Sequence, residues 1–477
     1  MFKSIGMLVV CCILTVGACL AQTSDGEEMD LPRYLSRVQM EDPEYQQFAL
    51  QLTSLEGTKE SAWAPYDVLF SGDTSLSTLG VSGFGPSAQQ NKASLGLSIG
   101  ADKLFKETGT RFGITYQNQH DRAIFSTGLF DEYQGRLELS IEQPLWRNAF
   151  GRLEQLTFQK LDQQEELVRL QVKEAQEIYL LAVGNQFYAW LLADISFLPL
   201  KENYKTAASL YNYIARQYKD DYVPESDLIQ AKENKIKAEL ALIQQLQNWN
   251  QLGYQLFSRI DQEFTESSNW THHPRLSAPK RLVFPDNQQL IRPLEALLSL
   301  KKVTQLEQDQ FTEKAKSDVD LQLTGAMYQT GTDGFVPGGT EHADVKVGIA
   351  YSHNQNNHDI KGRLHALEAR LQKISLSYRT IDQGYQTSAA RLQSQLASSH
   401  RLFIVYQQLV TVARSNYRRK EQRYQHGKVS LKELLLAQDD IVSYEAAALR
   451  EQVSQAGIQL ELAALSDQLL SSLNTTE

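Results

Sequence analysis

The chain repeats itself, and that constrains its fold more than any other feature. Tyr218, Val223, Asp227, Leu228 and Ala231 recur as Tyr424, Val429, Glu433, Leu434 and Ala437, each 206 positions later without a gap. The same offset places Leu139 on Val345 and Ile141 on Val347. Further upstream, Asp67–Gly72 matches Asp320–Gly325 at an offset of 253, and Pro43 and Pro293 open matching helical stretches. The change of offset implies about 47 additional residues in the first copy, roughly 78–136. Internal repeats of this kind set the architecture before local structure is considered.

Each copy reads as a modest helix, alternating strands, then two long helices around a sharp turn. Leu95, Leu97 and Ile99; Phe112, Ile114 and Tyr116; Leu137, Leu139 and Ile141; Val319, Leu321 and Leu323; and Val345, Val347, Ile349 and Tyr351 all alternate with small or polar residues. That period of two gives strands one apolar and one wet face, as a membrane barrel or an ordinary antiparallel sheet requires. Gly331–Gly339 reads as a hairpin loop. From Lys361 onward there is no proline, and Leu392, Leu396, Ser399, Phe403, Tyr406, Val410, Ala413 and Tyr417 step by four and three, a coiled-coil seam. The counterpart helix, about Leu153 to Tyr218, contains Pro199, which predicts a break. The domain reading is therefore 1–21 signal peptide, 22–257 first repeat, 258–292 linker and 293–477 second repeat.

The N-terminus predicts export. Lys3 precedes the apolar run Ile5–Val16, and small residues at Cys19 and Ala21 stand before Gln22. Val16-Gly-Ala-Cys19 also reads as a lipoprotein box, which would make Cys19 a lipidated first residue. Cys11, Cys12 and Cys19 are the three cysteines, so the exported part has no disulfide framework. A formal net charge of −10 argues against nucleic acid held by phosphate neutralisation. Past the export segment no run of about 18 apolar residues predicts a membrane helix, so a bilayer would be crossed as a closed barrel.

The strand-to-helix junction Leu139–Gly151 (with Gln143-Pro-Leu145), the two turns Tyr218–Leu228 and Tyr424–Leu434, and the duplication together resemble the TolC-type outer membrane efflux proteins. The resemblance implies a mainly α fold with β, in which three copies form a membrane β-barrel continuous with an α-helical barrel. It implies a passive outer membrane conduit extending into the periplasm, opened by a periplasmic adaptor and an inner-membrane pump in efflux or type I secretion. No phosphate loop, catalytic Gly-x-Ser-x-Gly or zinc signature is evident in the sequence, so no enzymatic activity and no cofactor are expected. Asp227 and Glu433 fall where the family carries acidic gate residues, with Tyr218 and Tyr424 as bracing or packing groups. Ser226 and Ser430 can equally cap the helices that hold those acids. Tyr222, Val223, Pro224, Gly427, Lys428, Val429 and Ser430 become candidate adaptor-facing residues, with Gly427 predicted at a left-handed turn position.

Three departures stand out: Asp220-Asp221 replaces the usual glycine of the first tip, the second junction Tyr351–His358 is very polar, and the first strand region is enlarged. His342, His353 and His358 match no metal-ligand spacing. Two other classes compete with the channel. A periplasmic adaptor or scaffold would carry one hairpin rather than two, and an exported enzyme would need a converging site that the sequence lacks.

Overall fold

The computed structural model describes residues 30–79, 89–125, 128–262, 264, 291–331 and 340–474. The signal peptide, Cys19, most of the linker and most of the Gly331–Gly339 loop lie outside the described residues. The order is α1 (Leu31–Glu41), α2 (Pro43–Ser61), β1 (Leu69–Leu79), β2 (Gln89–Leu104), β3 (Arg111–Phe125), β4 (Gly128–Pro144), α3 (Arg152–Ile195), α4 (Phe197–Lys219) and α5 (Glu225–Phe257). The second half runs α6 (Arg292–Lys314), β5 (Asp318–Gly331), β6 (Thr340–Ser352), α7 (His358–Gln425), α8 (Leu431–Leu465) and α9 (Leu469–Asn474). The duplicated strand-plus-helical-hairpin unit is thus explicit, with four strands in the first copy and two in the second among the described residues.

The six strands form one antiparallel sheet in sequence order. Its register aligns Ala101, Ile114, Leu139, Gly325 and Val345 across five neighbouring strands, and aligns Ile99, Tyr116, Leu137 and Met327 two positions further along. One face is therefore apolar from strand to strand. Nothing among the described residues covers it: Val345, Val347, Ile349 and Tyr351 are each exposed by two thirds or more. The opposite face carries Ser71, Ser98, Gln117, Arg136, Glu138 and Lys346.

The junction after β4 is built by backbone geometry. Asn148, Phe150 and Gly151 all have positive φ, and the Asn148 side chain accepts from Leu153 N–H at 2.8 Å, capping α3 from upstream. A Cβ at Gly151 would lie 2.3 Å from the Lys106 carbonyl in the β2–β3 turn, so only glycine fits. That turn is tied down further by Gln143, whose amide donates to Thr108 O at 3.1 Å. The polar second junction has a parallel logic. Asn357 takes a left-handed conformation and its N–H donates to the Asn354 side chain at 3.3 Å. His353 Nδ1 meets Ser317 Oγ at 3.0 Å. Among the described residues no three metal-ligating side chains converge.

The helices follow their periodicity. In α7, 68 residues long and about 100 Å from end to end, all eight seam positions from Leu392 to Tyr417 are buried or half-buried while most residues between them are exposed. The partner is α8, which folds back antiparallel. The first long helix breaks between Ile195 and Phe197. Pro199 supplies no N–H to the Ile195 carbonyl and its ring crowds that group, which accounts for the position of the break. One helical stretch, Ala149–Lys219, is long and apolar enough for a membrane span by composition. Its apolar part is instead core: Leu180, Val183, Phe187, Trp190 and Leu191 pack with Tyr34, Leu35 and Val38 of α1 and with Trp249 and Leu256 of α5. The Tyr34 hydroxyl donates to Leu256 O at 3.0 Å, so the buried phenol is satisfied.

Candidate functional site

The two helix turns have the same backbone design. In the first, Asp221 N–H donates to Tyr218 O (3.1 Å) and Tyr222 N–H to Gln217 O (2.9 Å). In the second, Gly427 N–H donates to Tyr424 O (2.8 Å) and Lys428 N–H to Arg423 O (2.9 Å). These bonds satisfy the terminal carbonyls of each helix and require one left-handed residue. Gly427 takes that position at φ 69° and Asp221 at φ 56°. Asp221, which departs from the family pattern in residue type, therefore holds glycine's conformation. Asp221→Gly is expected to stabilise the first turn by about 1 kcal/mol, because the Cβ penalty is removed. Thermal unfolding of the purified protein checks it; an unchanged or lower midpoint would refute the strain.

The helices after the turns begin differently. Ser430 caps α8, its hydroxyl accepting from Glu433 N–H at 3.3 Å. In α5 the cap position belongs to Pro224, whose carbonyl accepts from Asp227 N–H at 3.0 Å, and no side chain contributes. Ser226 lies inside the first turn of α5 rather than at its cap, which corrects the capping role read for it from sequence.

The two acids sit in different surroundings. Asp227 is half-buried, and the Tyr424 hydroxyl donates to its Oδ2 at 3.4 Å. Burial, then the charge of Asp227 and the hydrogen bond to it, push the Tyr424 phenol up to about 12. Glu433 is exposed, and its backbone carbonyl accepts from Lys420 Nζ at 3.2 Å. Tyr218, the repeat partner of Tyr424, lies at the surface. Tyr222, Pro224, Gly427, Lys428 and Ser430 are exposed, whereas Val429 is half-buried and Val223 packs on the apolar cluster formed by Leu210, Ile214, Ala231, Leu431 and Leu434.

Sequence reasoning missed three things here. The contact between Tyr424 and Asp227 joins the two tips across 197 residues. Gln438 is buried on α8; its amide donates to Asn203 Oδ1 at 2.6 Å, and its carbonyl accepts from Asn234 at 3.4 Å. A cleft of about 580 Å³ lies between α4 and α7, lined by Glu202, Lys205, Tyr213, Tyr417, Glu421 and Tyr424. None has a local sequence signal, since each joins helices far apart in the chain.

No family model matches the chain, and no curated protein matches it. Solved structures do. The chain is similar to the transmembrane channel CusC (TM-score 0.70, 13% identity, covering 94% of this chain and 95% of that one). It is also similar to the outer membrane protein VceC of Vibrio cholerae (TM-score 0.68, 13% identity, 92% and 96%). A third likeness is to the CmeC outer membrane channel of Campylobacter jejuni (TM-score 0.68, 12% identity, 95% and 91%). Identity this low speaks for architecture alone, but the likeness runs almost the full length of every chain. This chain therefore has the fold of the TolC-type outer membrane channels.

Proposed function

We propose that the protein is one subunit of a homotrimeric outer membrane channel, a passive conduit from periplasm to exterior that works with a periplasmic adaptor and an inner-membrane pump. One observation carries this reading: the chain leaves uncovered the surfaces that a membrane and further copies of itself would cover. The sheet exposes a continuous apolar face, as a lipid-facing wall does. On α5, Ile229, Ile236, Leu240 and Ile243 form an exposed stripe at seven, four and three residues' spacing, and on α7 Leu402, Val405 and Val412 form another. A coiled-coil stripe on each of two different helices suits a head-to-tail ring. An adaptor or scaffold would have no use for the apolar sheet face.

In this reading the turns form the periplasmic constriction, with Asp227 and Glu433 repeated around the axis and Tyr222, Pro224, Lys428 and Ser430 presented to the adaptor. Tyr424 holds Asp227 against the neighbouring hairpin, so it acts as a latch, while Glu433 faces the solvent. In planar bilayers, Glu433→Gln is expected to reduce cation preference. Tyr424→Phe is expected to raise the open fraction about two- to tenfold, the worth of one such hydrogen bond. A pore whose selectivity and opening ignore both changes would keep the conduit and dismiss the gate. Protein that stays soluble without detergent and makes no pore would dismiss the conduit.

A further inference from the structure

We infer that the outer membrane section of this channel is an eighteen-stranded barrel with a bore wide enough for polymeric cargo, so that size selection falls on the helical tip alone. The inference rests on the trimeric conduit proposed above and concerns the strands β2 and β3, which have no counterpart among the described residues of the second copy.

These strands belong to the wall. Along most of its length β2 pairs with β1 on one side and β3 on the other, and β3 pairs with β4 from Arg111 to Phe125. Their alternation is in phase with the rest: Ile99 faces Tyr116, and Ile114 faces Leu139, on the apolar side. A surface flap would not continue a lipid-type face across both of its strands. The turn joining them is fixed to the β4–α3 junction through Gln143, Asn148 and Gly151.

The sheet is open. β1 and β6 are its edges and do not pair with each other. Each would present unpaired N–H and C=O groups to lipid, which a membrane does not tolerate. With six antiparallel strands, β1 and β6 run in opposite directions. β6 of one copy therefore lies antiparallel to β1 of the next, and a head-to-tail ring closes without a parallel seam. Three copies of a six-stranded sheet give eighteen strands. The unexpanded duplication, with two strands per repeat, would give twelve.

Strand number fixes the bore. At about 4.8 Å between strands and a tilt near 40°, eighteen strands give a backbone radius of about 18 Å and twelve give about 12 Å. After allowing about 5 Å for inward side chains, the free cross-section differs about threefold. An extended polypeptide, or a chain of similar thickness, passes the wider bore with room for water.

The test uses the full-length protein with single cysteines at Ser98 and Gln117 on the wet face and at Ile99 on the apolar face. The native cysteines, Cys11, Cys12 and Cys19, all precede the described residues, and the parent chain serves as the background control. Intact cells are treated with a small charged maleimide and with one carrying a polymer about 10 Å in radius, which fits the wide bore and not the narrow one. Ser98→Cys and Gln117→Cys are expected to react with both reagents at least about tenfold faster than Ile99→Cys. Reaction with the small reagent only, from a trimer embedded in the membrane, would overturn the wide bore and leave the conduit intact. Images of the detergent-purified trimer with twelve wall strands, and β2–β3 outside the wall, would do the same. No reaction with either reagent, from protein that is monomeric without detergent, would overturn both.

Discussion

Arg292→Leu is expected to lower stability by about 3–5 kcal/mol at neutral pH, the usual result of stranding a buried carboxylate. Arg292 opens α6, where its guanidinium lies 2.5 Å from Glu177 of α3, 3.5 Å from Glu174 and 3.7 Å from Asp467 beyond α8. Its backbone N–H donates to Asp467 as well, and Leu469 N–H donates to Glu177 at 2.9 Å. One cation thus fastens the start of the second repeat and the C-terminal turn to the first long helix. Glu177 is only 2% exposed. Burial raises its pKa despite the attraction of Arg292, and burial likewise raises Glu174 and Asp467.

The pH dependence of that loss follows from the direction of the shifts. An acid with a raised folded-state pKa favours the fold below its unfolded value, and that contribution is lost as pH rises through the folded one. Removing Arg292 raises all three further, so the deficit should be largest at neutral pH and shrink on acidification. The readout is the thermal midpoint followed by tryptophan fluorescence, since Trp190 and Trp249 sit in the adjoining core. A fall of about 3–5 °C at pH 7 is expected for a chain of this length, with partial rescue by Glu177→Gln in the same chain. An equal fall at every pH, with no rescue, would mean that Arg292 matters for packing and not for charge.

What could be read in advance was whatever repeats along one element. The α7 seam from Leu392 to Tyr417, the strand alternation at Ile99, Ile114 and Leu139, the break before Pro199 and the left-handed Gly427 all leave a local trace in the sequence. The Arg292 clasp, the Tyr424–Asp227 link and the Gln438 amide network leave none, because their partners come from different helices. Asp221 misled for another reason. The turn demands a conformation, not a residue type, and aspartate reaches it at a modest cost. The same distinction explains Ser226, a good capping residue two positions too late, because Pro224 had already set the helix start. The enlarged strand region was visible as alternation, but only the register shows that it lengthens the sheet by two full strands.

Asp194→Asn is expected to stabilise the protein by about 2–3 kcal/mol at pH 8 and to leave it unchanged near pH 4. Asp194 lies on α3 just before the helix break, 1% exposed, and its Oδ2 has no hydrogen-bond partner. Burial pushes its pKa up to about 8, offset only in part by the Trp249 indole. In the unfolded chain an aspartate ionises near 3.9. The contribution of this group is therefore fully present below about pH 4 and is lost progressively as pH rises through about 8. Between those limits the native state holds a proton that the unfolded state has released. Asparagine keeps the size and the acceptor facing Trp249 and removes the titration, so the midpoint of the variant should stay level where that of the parent falls. The ideal linkage over four pH units exceeds the stated gain, which is reduced for relaxation and water entry around a carboxylate close to the helix break. Should Asp194→Asn instead lower the midpoint at pH 8, the carboxylate would be ionised in the native protein and paired with a cation in the assembled channel.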